Sequence, residues 1–184
     1  HWGNGPAWDN AMFEIPYVLY RYRGNTDVIR RVAAGLFHYL QYMSSRRNAE
    51  GLLEYGLDDW CHVGHQYENM MKCPLVVSDS TTCLSMCYKA EVMFRAIGKT
   101  LEADYAHALH ESIRAAFREH LVDSRFVVAG NCQTAQAMAI HYGVFDKAEI
   151  PQAFSVLLKQ IEVAGNKMDV GVLGARTLFR VLSA

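Results

Sequence analysis

Residues 26–44 place Val28, Ile29, Val32, Ala33, Leu36, Phe37, Leu40 and Met43 at three- and four-residue spacing, opposite Arg30, Arg31 and Gln41. Apolar side chains at that period line one face of an α-helix, and such a helix must bury its stripe against a neighbour. Just ahead, Gly24-Asn25-Thr26-Asp27 supplies a stop for a preceding helix and a polar side chain to cap the next. Two helices therefore meet at a tight corner. The earlier one is predicted over about residues 7–22, with Ala11, Met12, Ile15, Leu19 and Tyr20 on one side and Pro16 inside it as a kink.

The unit recurs. Helices are predicted over about 81–97 and 101–121, broken at Gly98, with Leu101, Tyr105, Leu109, Ile113 and Phe117 in register. A third pair covers about 133–142 and 150–163, with Pro151 at a helix-opening position and Gly165 closing it. Residues 172–182 begin a fourth pair whose partner is not reached. Strand-like material is confined to Leu75-Val76-Val77 and Phe126-Val127-Val128, neither with a hairpin partner. The expected class is all-α, with helical hairpins roughly every 40 residues. An open solenoid would bind proteins on its concave face, whereas a closed α/α toroid would present a central pocket at one end of its inner helices. Three and a half pairs do not close a six-pair ring. On the toroid reading, residues 1–184 are a partial domain carrying an insert loop at 48–80, cut from something longer, and the absence of an initiating Met agrees.

Charge narrows the ligand. Eighteen Lys and Arg against 19 Asp and Glu give a net charge of −1, so there is no basic field for a nucleic acid or an anionic membrane. No apolar run approaches the ~18–20 residues of a bilayer span, and His1-Trp2-Gly3-Asn4-Gly5 lacks the layout of a signal peptide. The expectation is no nucleic-acid and no membrane partner, with a periplasmic and a cytoplasmic parent equally compatible. Five cysteines at irregular spacing read as free thiols, with Cys83 and Cys87 as packing.

Over thirty residues without helical periodicity, 48–80, mark a functional loop. Its centre, Tyr55-Gly56-Leu57-Asp58-Asp59-Trp60-Cys61-His62-Val63-Gly64-His65, brings together two carboxylates, an aromatic plate and two imidazoles. Carbohydrate sites use this mixture, because an indole face covers the C–H side of a sugar ring while carboxylates accept its hydroxyls; a solvated turn plugged by Trp60 is the plain alternative. A second cluster, from Trp2 to Ala11, holds Trp8 and Asp9 where the first helix starts, and Asp9 could equally be a helix cap. Gly130-Asn131-Cys132-Gln133-Thr134 and the stretch 169–174 are rich in glycine and polar groups; glycines there would let backbone approach a ligand, but the 169–174 stretch reads better as corner residues. Cys61, His62, His65 and Cys73 match no familiar zinc spacing, so no metal is expected. Phosphate-binding and nucleophile-elbow fingerprints are also missing, and no cofactor is expected.

In order along the chain, W-D-x-A at Trp8, Ile15-Pro16-Tyr17, the corner from Tyr20 to Gly24, Asp59-Trp60, Thr81-Thr82 and the stretch 171–175 resemble the catalytic domain of bacterial α-L-rhamnosidases, glycoside hydrolase family 78. The resemblance implies an (α/α)6 toroid. It also implies hydrolysis of terminal α-L-rhamnosides with inversion, one carboxylic acid protonating the leaving oxygen and a second carboxylate activating water from the opposite face. Carried over, Trp8 with Asp9 matches a W-x-x-A element before an inner helix, and Asp59 with Trp60 matches a G-D-W loop. Together with His62 these residues would line the sugar pocket. One departure is Asp58, where the family usually has glycine. The family's acid and base glutamates lie outside the matched motifs, so no catalytic pair is assigned, although Asp9, Glu14 and Asp59 are available carboxylates. The partner implied is a rhamnose-containing glycoside or polysaccharide. Three further expectations follow: Trp8, Trp60 and Gln133 share one rim, the first helix of each pair lies inside, and the isolated segment is inactive and self-associates. A helical-repeat interaction module and a different six-hairpin carbohydrate enzyme are the rival readings.

Overall fold

A computed structural model describes residues 5–63 and 71–184; Trp2 of the opening cluster and His65 lie outside them. Eight helices are present among the described residues: α1 (Pro6–Asp9), α2 (Ala11–Arg23), α3 (Asp27–Ser45), α4 (Leu75–Ala96), α5 (Thr100–Leu121), α6 (Gln133–His141), α7 (Ile150–Val163) and α8 (Val172–Leu182). The single opening helix predicted from the pattern is divided at Asn10, whose carbonyl accepts the Phe13 and Glu14 N–H groups. α2 then runs on through Pro16 and stops at Gly24, in the left-handed conformation glycine favours.

Two expectations need correction. Leu75-Val76-Val77 is the first turn of α4, not a strand: Pro74 is the cap residue, and its carbonyl accepts the Val77 and Ser78 N–H groups. α4 therefore starts before residue 81 and shortens the insert loop. The pattern hid this because every residue from Val77 to Cys87 is buried, which removes the polar face that periodicity depends on. Its buried threonine hydroxyls are satisfied within the helix, Thr81 Oγ1 donating to the Val77 carbonyl and Thr82 Oγ1 to that of Ser78, each at 2.7 Å. The Phe126 stretch contributes one antiparallel bridge, Val122 with Val128.

α2 with α3, α4 with α5 and α6 with α7 pack as hairpins, while α2 touches α4, α4 touches α6 and α6 touches α8. The first helices of successive pairs thus form an inner arc, with α3, α5 and α7 outside. A large core centred on Phe13, Leu36, Leu40, Leu84, Phe94 and Phe117 fills the first two pairs, and a smaller one with Ala137, Leu157 and Leu178 joins α6 to α7 and α8. Gln136 is a polar plug within this packing: it accepts from the Val128 N–H and donates to the carbonyls of Phe126 and Ala153, which leaves its buried amide satisfied. At the two ends of the arc apolar side chains face outward: Met12, Ile15, Val18 and Tyr22 on α2, and Val172, Phe179 and Leu182 on α8. All five cysteines are free, with Cys83 and Cys87 fully buried.

Candidate functional site

The loop between α3 and α4 crosses the N-terminal ends of α1, α4, α6 and α8. Its first anchor is α4. The Leu53 N–H donates to Ser80 Oγ at 3.0 Å, and the Tyr55 and Gly56 N–H groups both donate to Asp79 Oδ2, at 2.7 and 2.6 Å. Gly56 is wedged between two partners: a Cβ there would stand 2.4 Å from Asp79 Oδ1, and one on Gly5, at the start of α1, would stand 2.4 Å from the Gly56 Cα. Loop and helix backbones meet directly, which only glycine permits.

Asp59 is the second anchor. It is completely buried. Its Oδ2 accepts the Thr134 hydroxyl and, at 2.7 Å, the Gly171 N–H; its Oδ1 accepts the N–H groups of Leu173 and Gly174 at 2.9 and 3.0 Å. A carboxylate from a distant loop therefore caps α8, where the helix presents unpaired N–H groups and the positive end of its dipole. The Trp60 carbonyl accepts the Val172 N–H alongside, and the Val63 N–H donates to the Val170 carbonyl. The close approach also explains the glycines at 171 and 174. A Cβ would come within 2.3 Å of the Asp59 carbonyl oxygen in one case and within 2.2 Å of Thr134 Oγ1 in the other, so these residues are not simple corner residues as the pattern suggested. With four donors on it, the Asp59 carboxylate anchors the loop and sets the position of the half-buried Trp60.

Asp58 adopts a backbone conformation more usual for glycine. Its φ of 66° lies in the left-handed region, and its Oδ1 accepts the following Asp59 N–H at 2.6 Å. Burial pushes its carboxyl above the ordinary range.

Trp8 is exposed on α1. Asp9 accepts the Tyr39 hydroxyl at 2.6 Å and the Gly5 N–H at 3.2 Å, and Tyr39 in turn lies 3.5 Å from the Tyr55 hydroxyl. Burial raises both tyrosine hydroxyls above their usual values, which keeps them neutral donors. His62 is buried, its Nδ1 facing the Val63 carbonyl at 3.0 Å and its Nε2 lying 3.3 Å from Asp169 Oδ1. Asp169 also pairs with Lys72, and its N–H donates to the Gln133 side chain, whose amide donates to the Lys167 carbonyl. The elements bearing Trp8, Asp9, Asp59, Trp60, His62 and Gln133 are thus linked at one end of the arc. Cys61 is exposed, whereas Cys73 is buried with its thiol against Cys132.

Asp79 was not legible as a site residue. It is buried, Oδ1 has no hydrogen-bond partner among the described residues, and desolvation pushes the carboxyl up to about 6 against the pull of the Tyr55 and Gly56 N–H groups. The available signal was an acid set in the run Leu75-Val76-Val77-Ser78-Asp79-Ser80, which offers no exposed face to receive it.

The family model described as bacterial alpha-L-rhamnosidase 6 hairpin glycosidase domain matches residues 1–184. An alpha-L-rhamnosidase of Streptomyces avermitilis is 27% identical over 187 residues, covering 98% of this chain and 17% of that protein. The crystal structure of the Streptomyces avermitilis alpha-L-rhamnosidase complexed with L-rhamnose superposes with a TM-score of 0.82 at 24% identity, over 95% of this chain and 16% of that one. The alpha-L-rhamnosidase from Dictyoglumus thermophilum gives a TM-score of 0.87 at 18% identity, over 98% of this chain and 21% of that one. The chain spans about a sixth of the length of the curated relative, and the structural likenesses establish the fold: helical hairpins of an α/α ring, three and a half of its six.

Proposed function

Because the chain belongs to the bacterial α-L-rhamnosidase six-hairpin glycosidase domain family, we propose that it forms walls of the sugar pocket in an enzyme that cleaves terminal α-L-rhamnosides with inversion. The observation that carries the reading is the single loop holding the N-terminal ends of α1, α4, α6 and α8 together, with Trp8 and Trp60 at that end. Aromatic faces suit the C–H surface of a pyranose, and a 6-deoxy sugar adds a methyl group to that apolar side. Asp9, held by Tyr39 and next to Trp8, is a partly buried carboxylate at that end, and it is the acceptor we assign to a sugar hydroxyl. Asp59 and His62 act one step back, fixing Trp60 and the 167–169 segment.

Inverting hydrolysis needs an acid and a base on opposite faces of the ring, about 6.5–9.5 Å apart so that a water fits between base and sugar. In this proposal both carboxyl groups come from segments outside these 184 residues. The isolated chain then lacks a contribution of ~10²–10⁴-fold from proton transfer alone, and releases no measurable rhamnose.

The test uses the full-length protein on an aryl α-L-rhamnoside, with the first-formed product followed by proton NMR. β-L-rhamnose appearing first is expected, and α-L-rhamnose appearing first overturns inversion. Trp60→Ala should weaken rhamnose binding about tenfold at unchanged melting temperature, through loss of ~1.5 kcal/mol of aromatic contact. Unchanged affinity would remove the loop from the pocket.

A further inference from the structure

Further along the inner helices, away from the loop, a separate cavity of about 460 Å³ opens between α2, α4, α6 and α8. Arg176 lies about 7.5 Å along α8 from its cap residue Gly171, at ~1.5 Å per residue. The lining is dominated by Lys89, Arg176 and Arg180 with Glu14 as its carboxylate, so two positive charges are left over. Glu14 is already divided: its Oε1 receives the Arg176 guanidinium at 2.7 Å, and its Oε2 pairs with Lys89. Burial pushes the Glu14 carboxyl upward, but Lys89 and Arg176 together outweigh it and leave it below its ordinary value. Lys89 is itself buried and donates to Ser85 Oγ at 2.6 Å. Arg180 has no carboxylate partner among the described residues.

The field of these cations is registered by His141. Burial and then Arg180, Arg176 and Lys89 hold its imidazole down to about 4, so it stays neutral beside them and adds a hydrogen-bonding ring without a fourth charge. Tyr17 and Tyr88 meet edge to face at 6.3 Å on the same wall and present hydroxyl groups. Unpaired guanidinium beside a buried ammonium and phenol donors is the chemistry that holds an oxyanion, since Arg offers a planar fork that matches carboxylate or phosphate oxygens.

We propose that this cavity binds a small oxyanion, a carboxylate or a phosphate, between Arg180, Arg176 and Lys89. The ligand class has two sources, an acidic sugar or a free phosphate, which share the same contacts. The site stands independently of the rhamnoside reading, because none of its residues belongs to the loop that carries Trp60.

The test is calorimetric titration of the full-length protein, in chloride buffer at pH 7, with sodium phosphate and separately with glucuronate. Saturable binding of either probe is expected, with at least a tenfold loss in Arg180→Gln, whose melting temperature is measured alongside to confirm that it folds like the parent. Tighter binding of glucuronate assigns the site to a sugar acid, and tighter binding of phosphate assigns it to free phosphate. His141 serves as a second readout by histidine NMR, its titration midpoint moving upward when the bound anion offsets the surrounding cations. Absence of saturable binding by both probes overturns the proposal, as does an Arg180→Gln variant that binds like the parent; both results mean that a carboxylate from elsewhere in the protein already fills the site.

Discussion

Asp59 Oδ2 accepts the backbone N–H of Gly171 at 2.7 Å, across 112 residues of sequence. With the bonds from Leu173, Gly174 and Thr134, this makes one buried loop carboxylate responsible for four donors. Asp59→Ala leaves all four without an acceptor and should cost about 3–5 kcal/mol. Asp59→Asn keeps the shape but turns an NH2 group toward N–H donors, so it should cost about 2 kcal/mol and is no clean probe of ligand chemistry. Urea unfolding of both variants checks this, and a loss below ~1 kcal/mol in the alanine variant would remove the cap from the account of α8.

Asp79 makes stability depend on pH in the direction opposite to an ion-paired carboxylate. Its folded value near 6 exceeds the ordinary 3.8, so the native state holds a proton that the unfolded chain has released. Its contribution is therefore fully present below pH 4 and falls by about 3 kcal/mol as pH rises through 6. Unfolding free energies of the parent and of Asp79→Asn, measured from pH 4 to 7, should diverge by that amount, the parent losing ground as pH rises. A constant difference contradicts the assignment.

The ends of the arc carry exposed apolar stripes, with Ile15 at 60% and Phe179 at 63% exposure. At about 25 cal/mol per Å², covering them favours association. The 184-residue chain alone should sediment as oligomers at micromolar concentration, and Ile15→Glu combined with Phe179→Glu should shift it to monomer. A monomeric parent chain would show that these faces do not drive contact.

The hairpin series was legible because α3, α5 and α7 each keep a polar face and an apolar one, so spacing alone reveals them. α4 was misread at its start for the opposite reason: buried on every side, it carries no alternation. The loop's Asp59-Trp60 pair stood out as chemistry, yet the work Asp59 does was invisible, because its partners at 134 and 171–174 are distant in sequence and three of the four donors are backbone N–H groups without a side-chain signature. The glycines at 171 and 174 read better as a corner than as a close approach, since a close approach is defined by the atoms on the other side. Asp58 holds a left-handed turn because a short Asp side chain tolerates that conformation and accepts the N–H of the next residue.

The distance between Asp59 and its partners also sets a timetable. At 5–20 residues per second of synthesis, Gly171 follows Asp59 from the ribosome after roughly 6–20 s. The α4–α5 hairpin closes locally in that interval, whereas the contacts of Asp59 must wait and then overcome the entropy of closing loops of 75 and 112 residues. The Asp59 anchor of the loop thus forms late, after the bonds to α4 only 23–27 residues away have had time to close, through a carboxylate that stays hydrated until the start of α8 arrives to replace its water.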